Sequence, residues 1–316
     1  MKNFAFVFPG QGSQSVGMLD GWGDHPAVAA TLQEASDALG QDVGQLIRSG
    51  SKEELALTTN TQPVMLVAGV AAYRAWRAEG GAAPQVMAGH SLGEYTAWVA
   101  SGALSLSDAA PLVRFRAQCM QEAVPVGAGA MAAILGMPSA EVVEGCREVQ
   151  ARHAPTSGEV VEAVNFNDPS QTVIAGTQAA VAEACEWLKS KGAKRALPLP
   201  VSAPFHSSLM KPAALRLRER LAVTPLAPPQ VPVVNNVDVR VESDADAIRD
   251  ALFRQVDAPV RWVETIRLLR TQGVAHVVEC GPGKVLAGLV KRIDPDLNAS
   301  AIADPQTLAQ TLETLA

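Results

Sequence analysis

The chain has 316 residues, 48 % of them apolar, which is enough to build one large domain or a large domain with an insert. Its net charge of −6 argues against nucleic acid as the main partner. Cys119, Cys146, Cys185 and Cys280 are far apart and form no C-x-x-C pair. They read as reduced, buried thiols of a cytosolic protein, so a cytoplasmic location is expected. The opening apolar run is too short for a signal-peptide core, and no run approaches transmembrane length, so no membrane partner is expected.

In chain order, "FAFVF" (4–8) reads as a buried strand leading into the glycine-rich turn "PGQGSQ" (9–14). Helical periodicity follows over about 26–39 and 61–79, the second with Thr61 as candidate cap. "VMAG" (86–89) is a strand, a helix starts at Leu92, and another runs over about 107–123. Strands alternating with helices predict an α/β domain with a mostly parallel sheet.

From 126 to 201 the order changes. "GAMAAILG" (129–136), "VVEAVNFN" (160–167), "QTVIAG" (171–176) and "KRALPLPV" (194–201) read as strands. Helices are expected at 139–150, with Ser139 as N-cap, and at 177–192, with Gly192 as C-cap. The order βαββαβ predicts a small ferredoxin-like domain, 126–201, inserted into a large domain made of 1–125 and 202–316. The chain then reads as a helix to about 222, a strand "VPVVNN" (231–236), a helix near 245–271, and a strand "VAHVVEC" (274–280). Gly281-Pro282-Gly283 turns into a last helix; it lacks phosphate-loop spacing and reads as structural.

The chemistry centres on "GHSLG" (89–93). A G-x-S-x-G stretch between a strand and a helix pushes its serine, here Ser91, into an exposed and strained position. The N–H groups of the helix starting at Leu92 then face a developing oxyanion. The alternative is a glycine-flanked turn with an idle serine. Among five histidines, His25 lies in a polar turn, His153 in a loop, and His276 in an apolar strand. His90 points away from the elbow tip. His206, in the proline-broken loop "VSAPFHSS", is left as the best base by elimination. No acid between Ser91 and His206 stands out as a triad member, which leaves a backbone carbonyl or an amide side chain to orient the imidazole.

Arg116 falls in the middle of the apolar stripe Ala109, Leu112, Val113 and Met120, whereas Arg114 points away from it. An inward guanidinium needs a partner. That partner is either a buried acid of the protein or a substrate carboxylate gripped by the bidentate fork.

Together "FPGQGSQ", "GHSLGEYTA", Arg116, "PFHS" and "ECGPGKVLAGLVKR" resemble the malonyl-CoA:acyl carrier protein transacylases and the acyltransferase domains of fatty-acid and polyketide synthases. The resemblance spans nearly the whole chain. It implies an α/β-hydrolase-like core with the ferredoxin-like insert, and transfer of malonyl from malonyl-CoA to the phosphopantetheine thiol of acyl carrier protein. It implies Ser91 as nucleophile, His206 as general base, and the backbone N–H groups of Gln11 and Leu92 as oxyanion hole. Arg116 would bind the malonyl carboxylate, and Gln255 would orient His206 through its main-chain carbonyl. Phe205 matches the signature of malonyl-using domains, and Asn165 matches a residue lining the cleft. No metal or other cofactor is implied, and a monomer is expected. Since carrier proteins of this kind are acidic, docking is expected at Lys189, Lys191, Lys194 and Arg195 or at Lys284, Lys291 and Arg292. The competing readings are an α/β-hydrolase-type thioesterase or esterase, which would want a triad acid, and an inactive carrier-protein-binding scaffold.

Overall fold

A computed structural model describes residues 3–154, 156–201 and 203–316. The chain runs through β1 (Phe4–Phe8), α1 (Pro26–Leu39), α2 (Val43–Ser49), α3 (Lys52–Ala56), α4 (Thr58–Ala78), β2 (Val86–Gly89), α5 (Leu92–Ala100) and α6 (Leu106–Glu122). Next come β3 (Gly129–Leu135), α7 (Ser139–Gln150), β4 (Val161–Asp168), β5 (Gln171–Thr177), α8 (Gln178–Ser190) and β6 (Arg195–Pro198). It continues with α9 (Lys211–Val223), β7 (Val233–Val234), α10 (Ala245–Gln255) and α11 (Trp262–Thr271). It closes with β8 (His276–Cys280), α12 (Val285–Ile293), β9 (Asn298–Ile302) and α13 (Pro305–Leu315).

Five strands form a parallel sheet in the order β7-β2-β1-β8-β9. At its centre, every residue of β1 is buried. Phe4, Phe6 and Phe8 face α4, where Phe6 meets Tyr73 and Trp76 edge-on. Ala5 and Val7 face the opposite side, packed with Trp262, Ile266 and Leu289. Burial on both faces is why this strand reads as an unbroken apolar run.

The other four strands form an antiparallel sheet ordered β4-β5-β3-β6, the βαββαβ pattern expected from the sequence. Along β3, Ala132 and Ile134 pack under α7 and α8, while Met131 and Ala133 join the main core. Period-two alternation thus lets one sheet cover its own helices and roof the large sheet's surroundings at the same time. The two parts are joined by a short bridge. Phe166 N–H donates to Val260 O and Val260 N–H to Val164 O.

Some expectations differ from the structure. The helix expected over 245–271 is two, α10 and α11, parted around Pro259, which removes a donor and forces the preceding backbone out of helix. The strand expected at 231–236 is only two residues long, because Asn235 and Asn236 leave the sheet to make side-chain bonds. Helix α4 begins at Thr58, so Thr61 lies inside it, its hydroxyl donating to Leu55 O and Leu57 O. Ser139 is the first residue of α7, behind Pro138, and its hydroxyl accepts from Thr172 instead of capping. Lys191 is the C-cap of α8, and Gly192 follows it at φ 113°. Strand β9 and helix α13 were not expected; "NASAI" is too short and small-residued to carry a period.

Candidate active site

The strand β2, the elbow and helix α5 interlock so tightly that two glycines are obligatory. A Cβ on Gly89 would lie 1.9 Å from Gly93, and one on Gly93 would lie 2.0 Å from Phe8 O. Ser91 takes φ 51° and His206 takes φ 65°. Among the described residues only one other non-glycine, Val239, has positive φ, so the strain concentrates on the pair that faces each other in the cleft. Asn236 holds the elbow in place: its Oδ1 accepts from Ser91 N–H at 2.8 Å and its Nδ2 donates to Gly89 O at 2.7 Å.

Ser91 Oγ and His206 Nε2 are 2.7 Å apart. His206 Nδ1 is 3.0 Å from the Gln255 main-chain carbonyl. A carbonyl only accepts, so Nδ1 carries the hydrogen and Nε2 is left free to accept the serine proton. A carbonyl thus stands where a hydrolase triad would place an acid. Burial, and then the nearby charge of Arg116, push the His206 pKa down to about 3, which keeps the imidazole neutral.

Arg116 comes from α6 and is 1 % exposed, as its place in the apolar stripe demands. Nη1 donates to Gln62 Oε1 at 2.8 Å, and Nη2 donates to Gln255 Oε1 at 3.0 Å and to Ser91 Oγ at 3.3 Å. Its Nε is buried without a hydrogen-bond partner. Every contact of this cation is thus uncharged, including the Tyr95 ring, whose centroid is 5.3 Å from the guanidinium. The direct ion pair with a buried acid that the sequence left open is not made. Arg114 instead reaches Gln41 on the outer side.

Gln11, Gln62, Ser91, Leu92, Arg116, Asn165, Phe205 and His206 line one cavity of about 110 Å³. It opens into a larger one of about 480 Å³, bounded by Gly10, Gly12, Asn167, Val173, Val285 and Leu289, which runs between the two sheets. Asn165, at a bulge in β4, lines both cavities, and its Oδ1 is buried without a partner. His90 turns its Nε2 to Asn167 Oδ1, 2.8 Å away, as expected for a side chain pointing off the elbow tip, though it still borders the cavities. The other histidines are engaged elsewhere: His25 caps α1, His153 meets Glu183, and His276 contacts Ser300.

All eight residues singled out from the sequence converge, with Gln255 standing just behind the cavity wall. Sequence reasoning missed Gln62, Glu94 and Asn236. Only Glu94 carried a signal, as a charge within a helix whose residues from Leu92 to Trp98 are all buried.

A family model for the acyl transferase domain matches residues 5–303. The chain belongs to this family. The match starts in β1 and ends just past β9, so both sheets and every cavity-lining residue fall within it. The chain is 53 % identical to the malonyl CoA-acyl carrier protein transacylase of Escherichia coli K12, over 99 % of this chain and 100 % of that one. Among solved structures, the acyl-carrier-protein S-malonyltransferase of Burkholderia pseudomallei 1710b superposes with a TM-score of 0.95 at 62 % identity, over 99 % of this chain and 100 % of that one. A malonyl-transacylase in complex with a holo type II PKS acyl-carrier protein superposes with a TM-score of 0.95 at 49 % identity, over 99 % and 100 % of the two chains.

Proposed function

We propose that the protein transfers malonyl from malonyl-CoA to the phosphopantetheine thiol of acyl carrier protein through a malonyl ester on Ser91. The observation that carries this reading is the buried Arg116, with only uncharged hydrogen-bond partners, 3.3 Å from the Ser91 hydroxyl. A guanidinium held dry without a contacting anion is complementary to an acyl group that brings its own carboxylate.

The steps follow from the hydrogen bonds. The Ser91 hydroxyl accepts from Arg116 and donates to His206 Nε2. His206 takes that proton as Oγ attacks the thioester carbon. The oxyanion rests on the backbone N–H groups of Gln11 and Leu92, one such donor being worth about 3–4 kcal/mol. The C–S bond breaks, the proton passes from Nε2 to the CoA sulfur, and malonyl-Ser91 remains. The pantetheine thiol then enters, loses its proton to His206, and attacks the ester; Oγ leaves and recovers the proton. This exchange moves no electrons between centres and calls for no metal or redox cofactor.

The smaller cavity takes the acyl group, with Phe205 shaping its wall for malonyl. The larger cavity takes the pantetheine arm, with Asn165 beside it. Residues 1–125 and 202–316 act as the catalytic domain and 126–201 as an inserted domain whose sheet walls the cleft. No helix among the described residues is long and apolar enough to cross a membrane. The buried, reduced cysteines fit a cytoplasmic enzyme. The test is transfer from a panel of acyl-CoAs to holo carrier protein, read by intact mass: malonyl should move and acetyl should not. Equal transfer of both would remove the basis of this reading.

A further inference from the structure

Glu94 stands in the first turn of α5 and is fully buried, yet no step above uses it. Its Oε2 accepts from Gln255 Nε2 at 2.8 Å and from Asn236 N–H at 2.9 Å, and its Oε1 accepts from Trp98 Nε1 at 3.3 Å. All three partners are donors only, so a protonated carboxyl would have an O–H with nothing to accept it. The helix N-terminus adds to the preference for the anion. Burial opposes it and raises the pKa to about 7.

The two residues that Glu94 grips are the ones that hold the site. Gln255 presents its main-chain carbonyl to His206 Nδ1, its Oε1 to Arg116, and its Nε2 also to Ser91 O. Asn236 holds the backbone on both sides of the elbow. A side-chain amide can rotate by half a turn and exchange its oxygen and nitrogen. A flipped Gln255 would turn its oxygen on the Glu94 carboxylate and its N–H groups on the Arg116 guanidinium, and both contacts would repel. The charge of Glu94 thus fixes which end of the amide faces Arg116. It also counters a buried cation from one amide away, without occupying the guanidinium edge that a substrate needs.

We propose that Glu94 is a positioning residue: acting through Gln255 and Asn236, its carboxylate aligns Arg116, His206 and the Ser91 backbone, and supplies a counter-charge that leaves the arginine open. This rests on the malonyl-transfer reading. The two fail differently, since that reading falls if wild-type protein forms no malonyl adduct at Ser91.

The test uses Glu94→Gln and the exchanged pair Glu94→Gln with Gln255→Glu in the full chain. In Glu94→Gln, malonyl transfer should drop by about 10- to 100-fold in kcat/KM, the scale of a small misplacement of reacting groups. The exchanged pair rebuilds one amide–carboxylate contact but loses the bond to Ser91 O, so its melting temperature should lie between those of Glu94→Gln and wild type. Its carboxylate now touches Arg116 directly, so the KM for malonyl-CoA should rise about tenfold or more. Wild-type kcat/KM in Glu94→Gln would overturn the proposal. So would full recovery of malonyl transfer in the exchanged pair, which would make the contact merely structural. Each variant decides without the other if one fails to fold.

Discussion

Arg116 and Ser91 share a hydrogen bond of 3.3 Å across a cavity of about 110 Å³. An acyl chain that reaches one carbon past its carbonyl can therefore be esterified to Ser91 and still lay its carboxylate on the guanidinium.

Replacing Arg116 by Ala should remove a charge-assisted contact worth about 2–5 kcal/mol, or some 30- to several-thousand-fold in kcat/KM for malonyl. Acetyl transfer should hold or rise, because acetyl leaves the wild-type guanidinium buried and unsatisfied. Both transfers and the melting temperature are measured on the same variant. A parallel loss of both activities with lowered stability would make Arg116 architecture.

His206 is held neutral, with its pKa pushed down to about 3 first by burial and then by the Arg116 charge. The base is therefore already deprotonated at neutral pH, so His206 should contribute no inflection to acylation near the ordinary histidine value of 6.5. An acid limb near 7 should come from Glu94 and be absent in Glu94→Gln. Stability has the matching sign. Below about pH 6.5 the unfolded chain takes up a proton that the folded site refuses, so this residue's contribution falls as pH drops from about 6.5 towards about 3. Burst kinetics of acylation across that range, on His206→Ala and wild type, check this. An acid limb near 6.5 that persists in Glu94→Gln would show a solvated imidazole.

Much of this site was legible because its residues break local rules. Gly89 and Gly93 are demanded by contact, Ser91 by the elbow, and Arg116 by its place in an apolar stripe. The parallel core was legible because β1 is buried on both faces, and the small sheet because the Asp168-Pro169-Ser170 turn parts two of its strands and helices separate the rest in the order βαββαβ. What was hidden depends on distant partners. Gln62 and Asn236 are ordinary amides until folding brings them to Arg116 and to the elbow, 54 and 145 residues away in the chain. Likewise β9 forms because β8 offers it an edge, a cause that its own five residues do not contain.

Gly93→Ala should be severe. Its methyl would overlap the Phe8 carbonyl at 2.0 Å, so strand and helix must part. Overpacking of this kind costs about 1–3 kcal/mol or more, and the displaced elbow should also lose Ser91 reactivity. Thermal melts and acylation rates report both. A variant with wild-type values would mean that the elbow is not tightly packed.

The two basic clusters are not equally free to meet an acidic carrier protein. Arg292 Nε donates to the buried Asp168 at 2.6 Å, and Lys291 Nζ donates to Leu297 O at 2.6 Å. Lys189 pairs only with exposed Glu186, a contact worth little. Charge reversal at Lys189 or Lys284 should therefore raise the KM for carrier protein and spare that for malonyl-CoA. Arg292→Glu should chiefly lower stability, by setting a second carboxylate against Asp168. Equal effects on both substrates at Lys189 and Lys284 would reject these positions as the docking face.

The central claim is that Ser91 carries the malonyl group between its two thiol partners. Intact mass after incubation with malonyl-CoA tests it most directly. Wild-type protein should gain one malonyl group and lose it when holo acyl carrier protein is added, and Ser91→Ala should gain none. An adduct that survives in Ser91→Ala, or that the carrier protein cannot discharge, would contradict the account.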